Sequence, residues 1–418
     1  MTLINYAGSP MRNSRANSAA FLTAVFAVAA TAIVLRVSLP ANLLNLFMEY
    51  TTDKGSFIQK LHPGTYAIVA AAIIVPLTLR AYVDAWTLRS IRAMALFTVA
   101  VVLLIAYLIV AGHFGSAGYL IDTYIAATLG GITLLLLPPD MRARTADLVL
   151  FVLIVSAIIG IFEFVTHIRL IPYPIEEHEF RPTGLLDHPL LLGLLCSTAI
   201  PFVAASDWQR SMRIAAICIL FLGVAAASAR IAMLAASLAT AVVILAAPIR
   251  TASSSQSARL KALMIVAGAI LLAAAITVLA FSGFLDRFSR GLTDASAMAR
   301  IRIYDIFGLV SWTEILFGMP AEDIAKLVKR LDLMVLESSP VAWILHFGLF
   351  AAIGFVAAFL GMLRTLLRGA RPLVVFGSLL FLAVALTNNT LSTKTPAVLV
   401  LIVLIIGTAA RHIRTPLR

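Results

Sequence analysis

The chain has 418 residues, 61% of them hydrophobic and 12% charged, and its 32 Lys and Arg against 20 Asp and Glu give a formal charge of +12. A soluble domain is roughly half apolar and about a quarter charged, so a mean hydropathy of +1.01 cannot be hidden in a water-soluble core and has to face lipid. The basic residues are scattered between apolar stretches rather than gathered on one polar face, which argues against a nucleic-acid partner.

Lipid admits only helices or closed barrels. Barrel strands alternate apolar and polar residues, whereas the apolar stretches here are continuous over about 20 residues, the length of a helix crossing a ~30 Å hydrocarbon core. The chain therefore reads as an all-α polytopic integral membrane protein, one membrane domain over residues 1–418 embedded in a lipid bilayer. Residues 1–18 are polar and carry Arg12 and Arg15; the apolar run Ala19 to Leu35 that follows reads as an uncleaved first anchor. About twelve spans are expected, near 18–37, 65–80, 92–112, 119–137, 147–166, 187–206, 212–228, 230–248, 261–281, 341–363, 372–390 and 396–410. Only Ala227-Ser228-Ala229-Arg230 separates the seventh from the eighth.

With the N-terminus placed inside, alternate connections collect 18 Lys and Arg, against four acids, Asp84, Asp140, Asp147 and Asp207. That bias is the positive-inside pattern, and it puts both chain ends in the cytoplasm. Three connections on the other side are long: 38–64, 167–189 and 282–340, the last of 59 residues. Long loops in a compact protein are usually functional, so chemistry is expected on the outer face. Within the largest, Pro320-Ala321-Glu322-Asp323 is a helix start, with proline in the first turn and acids at the positive dipole end. Ile324, Leu327, Val328, Leu331 and Val335 then recur at helical spacing opposite Glu322, Lys326, Lys329, Arg330 and Asp332. This predicts an amphipathic helix across the outer mouth, either a surface helix or a lid over a cleft.

Cys196 and Cys218 fall inside expected spans and read as small core residues, not a disulfide or a metal pair. No Walker loop, dinucleotide fingerprint, HExxH or CxxC is present, so no cofactor and no metal are expected.

Four outer places carry residues suited to chemistry. Arg181 opens the run to His188-Pro189 and follows the cluster Glu176, Glu177, His178 and Glu179; its fork suits a phosphate or pairs with one of those glutamates. Arg230, after Ser228 in the tight turn, points into the bundle or snorkels outward. Arg300, Arg302 and Tyr304 share one side if extended, and Arg300 and Tyr304 share a face on a helix; the alternative is a solvated basic surface with Arg287 and Arg290. Glu337-Ser338-Ser339-Pro340 leads into the tenth span, where Glu337 is a candidate base and the serines are candidate helix caps.

In this order these places resemble the O-antigen ligase and Wzy-type polymerase superfamily of bacterial polysaccharide assembly, over roughly residues 160–360. The resemblance rests on Arg181, Gly184 and Pro189, on Ser228 and Arg230, on Arg300, Tyr304 and Phe317-Gly318, and on Glu337, Ser338, Leu345, Gly348, Leu349 and Gly354. It implies an enzyme of a bacterial inner membrane that moves a glycan from a polyprenyl diphosphate carrier to an acceptor sugar on the outer, periplasmic face, alongside other polysaccharide assembly proteins. By that resemblance Arg181, Arg230 and Arg300 clamp the diphosphate, Glu337 is the catalytic base, and His188, Arg302, Tyr304 and Ser338 contact substrate. Glu337 stands where the ligases usually have His, and the next His is His346; Leu190 stands where the family often has Asn. Both departures favour a polymerase over a ligase. The run from Phe57 to Gly64 is similar to the first outer loop of exopolysaccharide polymerases. The rival from another class is a secondary transporter or flippase, which shares the span count. Against it stand the lack of similarity between the two halves and the position of the largest loop.

Overall fold

The computed structural model describes residues 19–51, 56, 58–79, 83–173, 180–246, 302–333 and 335–412, with isolated positions 256, 259, 262, 263 and 266. Among these the regular structure is entirely helical. The first half runs α1 (Ala19–Ser38), α2 (Pro63–Thr78), α3 (Ala85–Val110), α4 (Phe114–Leu136), α5 (Pro139–Thr166), α6 (Pro189–Ala204), α7 (Arg210–Ala226) and α8 (Arg230–Ala246). The second half has α9 (Trp312–Phe317), α10 (Ala321–Arg330), α11 (Ser339–Phe347), α12 (Leu349–Leu366), α13 (Pro372–Ala385) and α14 (Ala397–His412). Of these α1, α3, α4, α5 and α12 are long and apolar enough to cross a membrane, and α2, α6, α8, α13 and α14 are shorter apolar helices.

The lipid signature is clearest on α3. Met94, Phe97, Val101, Leu104 and Leu108 are buried at three- and four-residue spacing, yet the opposite face is as apolar, with Leu96 71%, Leu103 64% and Val110 88% exposed. A helix of a water-soluble protein turns a polar face outward; this one has none to turn. The bundle's centre is filled by α14 and α6. From Ala397 to Ile406 every residue is at most 1% exposed, and α6 is buried from Leu191 to Val203. Helix α14 packs on α5 and α4, and α6 packs on α7, α8 and α13.

The expected segments overlap helices, the fourth and fifth beginning earlier than expected, at Phe114 and Pro139, and three further differences stand out. The ninth, 261–281, lies outside the described residues save for isolated positions. The third begins at Ala85, because Asp84 caps it by accepting from the Thr87 N–H at 2.6 Å, and its first two turns carry Arg89 and Arg92. The tenth is two helices, α11 and α12, broken at Gly348 with φ +81°. There a Cβ would run into the Leu316 carbonyl and the Phe317 backbone.

The two ends of the bundle differ. At one, arginines cap helix C-termini: Arg142 donates to the Leu137 and Leu135 carbonyls at 2.7 and 2.5 Å, Arg213 to Ala204 at 3.2 Å, and Arg371 to Ala205 at 3.1 Å. Such carbonyls have no partner within their helix and favour a cation. The other end carries the connections 39–62, 167–188, 303–338 and 386–396, and it holds the candidate site.

Candidate functional site

The loop after α5 is held by one carboxylate. Glu163 has no exposed surface and accepts the N–H groups of Leu170, Thr183 and Gly184 at 3.1, 2.9 and 2.9 Å. Gly184 turns with φ +58°, and a Cβ there would press into the Ser156 carbonyl of α5; only glycine takes that turn without cost. The loop so fixed lays Arg181 against the end of α7, where its Nε and one terminal nitrogen donate to the Ala227 carbonyl at 3.3 and 3.2 Å. Ser228, at φ +51°, and Arg230, the first residue of α8, follow Ala227 directly. Arg181 thus contacts the turn that leads into Arg230. Arg169 backs them: it donates to the Arg181 carbonyl at 3.0 Å and lies over the rings of Tyr173 and Phe180 at 4.5 and 4.9 Å.

His188 caps α6 through Nδ1, which accepts the Leu190 N–H at 3.1 Å, with Pro189 at the first helical position. Burial, reinforced by the Arg181 charge, pushes its imidazole down to about 3. The preceding Asp187 accepts from the Ala41 N–H, and the Asn42 side chain donates to its carbonyl at 3.2 Å. Burial raises the Asp187 carboxyl to about 6 against the pull of Arg36 and the Ala41 N–H.

Next to it lies a polar network that the sequence reading passed over. Asp122, 2% exposed, sits in a π-helical turn of α4, Leu120–Ile125. Its carboxylate accepts the Tyr50 hydroxyl at 2.9 Å, the Thr65 hydroxyl at 2.7 Å and the His62 N–H at 3.2 Å. Its own carbonyl accepts from Arg36, 1% exposed, at 3.2 Å. His62 caps α2 as His188 caps α6: Nδ1 accepts the Gly64 N–H at 2.9 Å, Pro63 follows, and Nε2 lies 2.8 Å from the Leu39 carbonyl. Burial first, then Arg36, pushes it to about 3. Lys394 closes the network, donating to the Tyr50 and Lys60 carbonyls at 2.9 and 2.8 Å with its ammonium 4.6 Å over the Tyr50 ring.

A cleft of about 460 Å³ opens beside Lys394, between α10, residues 333–336, α11 and the turn 389–393. One wall is apolar, with Ile324, Val328, Leu333 and Leu336; the other presents Asn389, Ser392, Thr393 and His346, and Lys329 stands at the lip. His346 Nδ1 is 2.8 Å from the Ser116 hydroxyl. The turn forming the polar wall is tied down: Ser339 and Tyr124 hydroxyls donate to the Asn388 and Leu391 carbonyls at 2.7 and 2.6 Å, and Thr123 to Thr393 at 2.7 Å.

Glu337 is half-buried and follows the cleft residue Leu336; Ser338, 7% exposed, is the residue before α11. Arg302 and Tyr304 go elsewhere. The short 3₁₀ helix Ile303–Gly308 buries Ile303 and Ile306 and leaves Arg302 exposed and Tyr304 60% exposed. Arg300, Arg287, Arg290 and the cluster at 176–179 lie outside the described residues. The amphipathic helix forms but stops at Arg330, short of Leu331 and Val335, because Asp332 turns left-handed at φ +54° and the Leu333 N–H closes on the Val328 carbonyl at 3.0 Å. Among the described residues no three His, Cys, Asp or Glu gather as metal ligands. The signal that could have found Arg36, Asp122 and Glu163 is that each is a single ionisable residue inside an expected span, a position that is costly in lipid unless used or paired.

No protein-family model matches the chain, and a search of curated proteins finds no match.

Proposed function

We propose that the chain is a polytopic inner-membrane glycosyltransferase of about twelve spans, with cytoplasmic ends and the loop-bearing end outside. In this reading it lengthens a polysaccharide by moving a growing glycan from its polyprenyl diphosphate carrier to an acceptor glycan. The observation that carries the reading is the two-faced cleft under α10: an apolar wall of Ile324, Val328, Leu333 and Leu336 facing a wall of hydroxyl, amide and imidazole groups. A substrate that joins an isoprenoid tail to a polar glycan needs both surfaces.

The reaction is a displacement at the anomeric carbon. The acceptor oxygen bonds to that carbon while its proton passes to a base, and the bond to the diphosphate oxygen breaks. Arg181, bonded to the Ala227 carbonyl, and Arg230, which opens the next helix, neutralise the departing diphosphate together with Arg300; fixed cations of this kind can supply several kcal/mol to a charge that develops on the leaving group. His346 on the cleft wall and Glu337, next in sequence to the cleft residue Leu336, are the two candidates for the proton acceptor in this reading, and Ser338 and His188 act by positioning. Arg302 and Tyr304 are exposed and do not line the cleft, so no part in the reaction is assigned to them.

The test is the glycan profile of a deletion strain complemented with wild type, Arg181→Ala, Arg230→Ala, Glu337→Gln or His346→Gln at matched protein levels. Loss of long polymer with accumulation of single lipid-linked repeats supports the polymerase, and the Gln variant that reproduces it identifies the base. Full-length polymer retained on its carrier makes the protein a ligase. An unchanged profile in the deletion strain removes the enzyme reading and returns the transporter.

A further inference from the structure

Residues 302–317 turn apolar side chains outward as well as inward. Ile303 and Ile306 are buried against Met319 and Ile324, whereas Tyr304, Trp312 and Phe317 are 60%, 76% and 54% exposed. An aromatic ridge left in water forfeits about 25 cal/mol for each Å² of apolar surface, and exposed patches of this kind mark contact surfaces.

The neighbours identify what covers it. The Phe317 carbonyl accepts from Tyr107 in the last turns of α3 at 2.6 Å, beside Val110, the most exposed apolar residue of that helix at 88%. The Phe317 ring stands 6.3 Å from Phe350 in the first turn of α12. Phe350 is itself 63% exposed, and Ile353, one turn on, is 59% exposed. At Phe317 the segment is therefore continuous with the lipid-facing surfaces of two candidate spans, at the level where both end. Trp and Tyr join an apolar body to one polar tip, which suits the boundary between acyl chains and headgroups. The exposed Arg302 beside Tyr304 adds a cation for lipid phosphate.

We propose that Tyr304, Trp312 and Phe317 seat this segment in the interfacial zone of the bilayer leaflet at the loop-bearing end. The anchor leads through Gly318 to the start of α10, so it sets the depth at which the roof helix begins and leaves the rest of that helix free to move. The proposal rests on the spans lying in a bilayer and is independent of the glycan chemistry.

The test uses the full chain reconstituted in phosphatidylcholine and phosphatidylglycerol vesicles whose lipids are brominated either near the headgroup or near the acyl terminus. Trp312 is one of four tryptophans, so its emission is taken as wild type minus Trp312→Phe, a change at an exposed site that leaves the core intact. The expected result is loss of that difference emission with shallow bromines, a smaller loss with deep ones, and little quenching by aqueous iodide. Quenching by iodide with indifference to bromines overturns the anchor. Protection from both quenchers also overturns it, because a second copy or another protein then covers the ridge. A chain that fails to co-float with vesicles overturns the membrane reading, whereas one that co-floats but shows either adverse pattern loses the anchor alone.

Discussion

Acid should destabilise this protein in a defined window, because two of its helices start on the same titratable device. His62-Pro63 and His188-Pro189 each place proline at the first helical position and use imidazole Nδ1 to accept the N–H two residues on, at 2.9 and 3.1 Å. A protonated ring has no lone pair to accept with, and it would put a positive charge at the positive end of a helix dipole. Both imidazoles are held near 3, against an ordinary value of 6.5, chiefly by burial. The unfolded chain therefore takes up these protons first. The stability from the neutral caps is complete above 6.5 and is lost as pH falls toward 3, at about 1.4 kcal/mol per pH unit for each histidine. Asp187 acts in the opposite sense. Its carboxyl stands at about 6 against 3.8, so the folded state binds that proton first and recovers about 1.4 kcal/mol per unit between roughly pH 6 and pH 4. From about pH 7.5 to about pH 5 the two histidines cost roughly 4 kcal/mol and Asp187 returns roughly 1.4, a net loss near 3 kcal/mol. The melting temperature in detergent should begin to drop near pH 7 and fall steadily from about pH 6 to about pH 5, at a net slope of about 1.4 kcal/mol per pH unit. His62→Asn with His188→Asn keeps a capping acceptor that does not titrate and should flatten the curve. A melting temperature that stays level on acidification, or a slope that survives in the double Asn variant, refutes the reasoning.

Gly348→Ala should abolish folded yield in size-exclusion chromatography, because φ +81° with ψ 155° is a glycine-only region costing about 1–3 kcal/mol for other residues, and the added Cβ also meets the Phe317 backbone. Gly318→Ala, at φ +85° and ψ 178° against the His346 carbonyl, should do the same. Glu163→Gln leaves fewer acceptors for three loop N–H groups; the expected loss is about 1–3 kcal/mol, seen as a lower melting temperature and faster proteolysis between Thr166 and His188.

The helices were legible because a chain apolar on both faces of a helix has few alternatives to a span. The order Arg181, Gly184, Pro189 was legible as a pattern, but its reasons belong to the fold: Gly184 turns against Ser156, Pro189 opens α6, and Arg181 reaches the end of α7. The pair Phe317-Gly318 and Gly348-Leu349 was noted as two separate stretches, and the structure shows that their backbones touch. Arg36, Asp122 and Glu163 were lost in the averaging that defines a span, since one charge hardly lowers the hydropathy of about 20 neighbours. Lys394 was missed for a different reason. It sits in a short polar turn, and its partners Tyr50 and Lys60 are distant in sequence, so no local pattern signals it. The segment at Tyr304 was read as extended or α-helical, and the chain instead forms a 3₁₀ helix that buries Ile303 and Ile306.

The cleft's two sides are built differently, and that decides which side moves. Its polar wall, 389–393, is tied through Ser339, Thr123 and Tyr124 to α11 and α4, and through Lys394 to the Arg36–Asp122 network. Most of those partners are buried, so releasing the wall would strand several donors and acceptors at about 1–3 kcal/mol each. The roof helix α10 rests on a small apolar cluster of Ile303, Ile306, Met319, Ile324, Val341 and Leu345, separate from the main core. Its only ion pair among the described residues, Lys326 to Asp323, is exposed and within the helix, and such pairs contribute little. One backbone bond, from the Met319 N–H to the Leu345 carbonyl at 2.8 Å, ties its entry to α11. Opening the cleft therefore costs least at the roof. Hydrogen exchange should be faster in 321–330 than in 388–395 by a wide margin, as expected of a segment with few buried contacts. Equal protection of the two segments would mean that the cleft opens by another route.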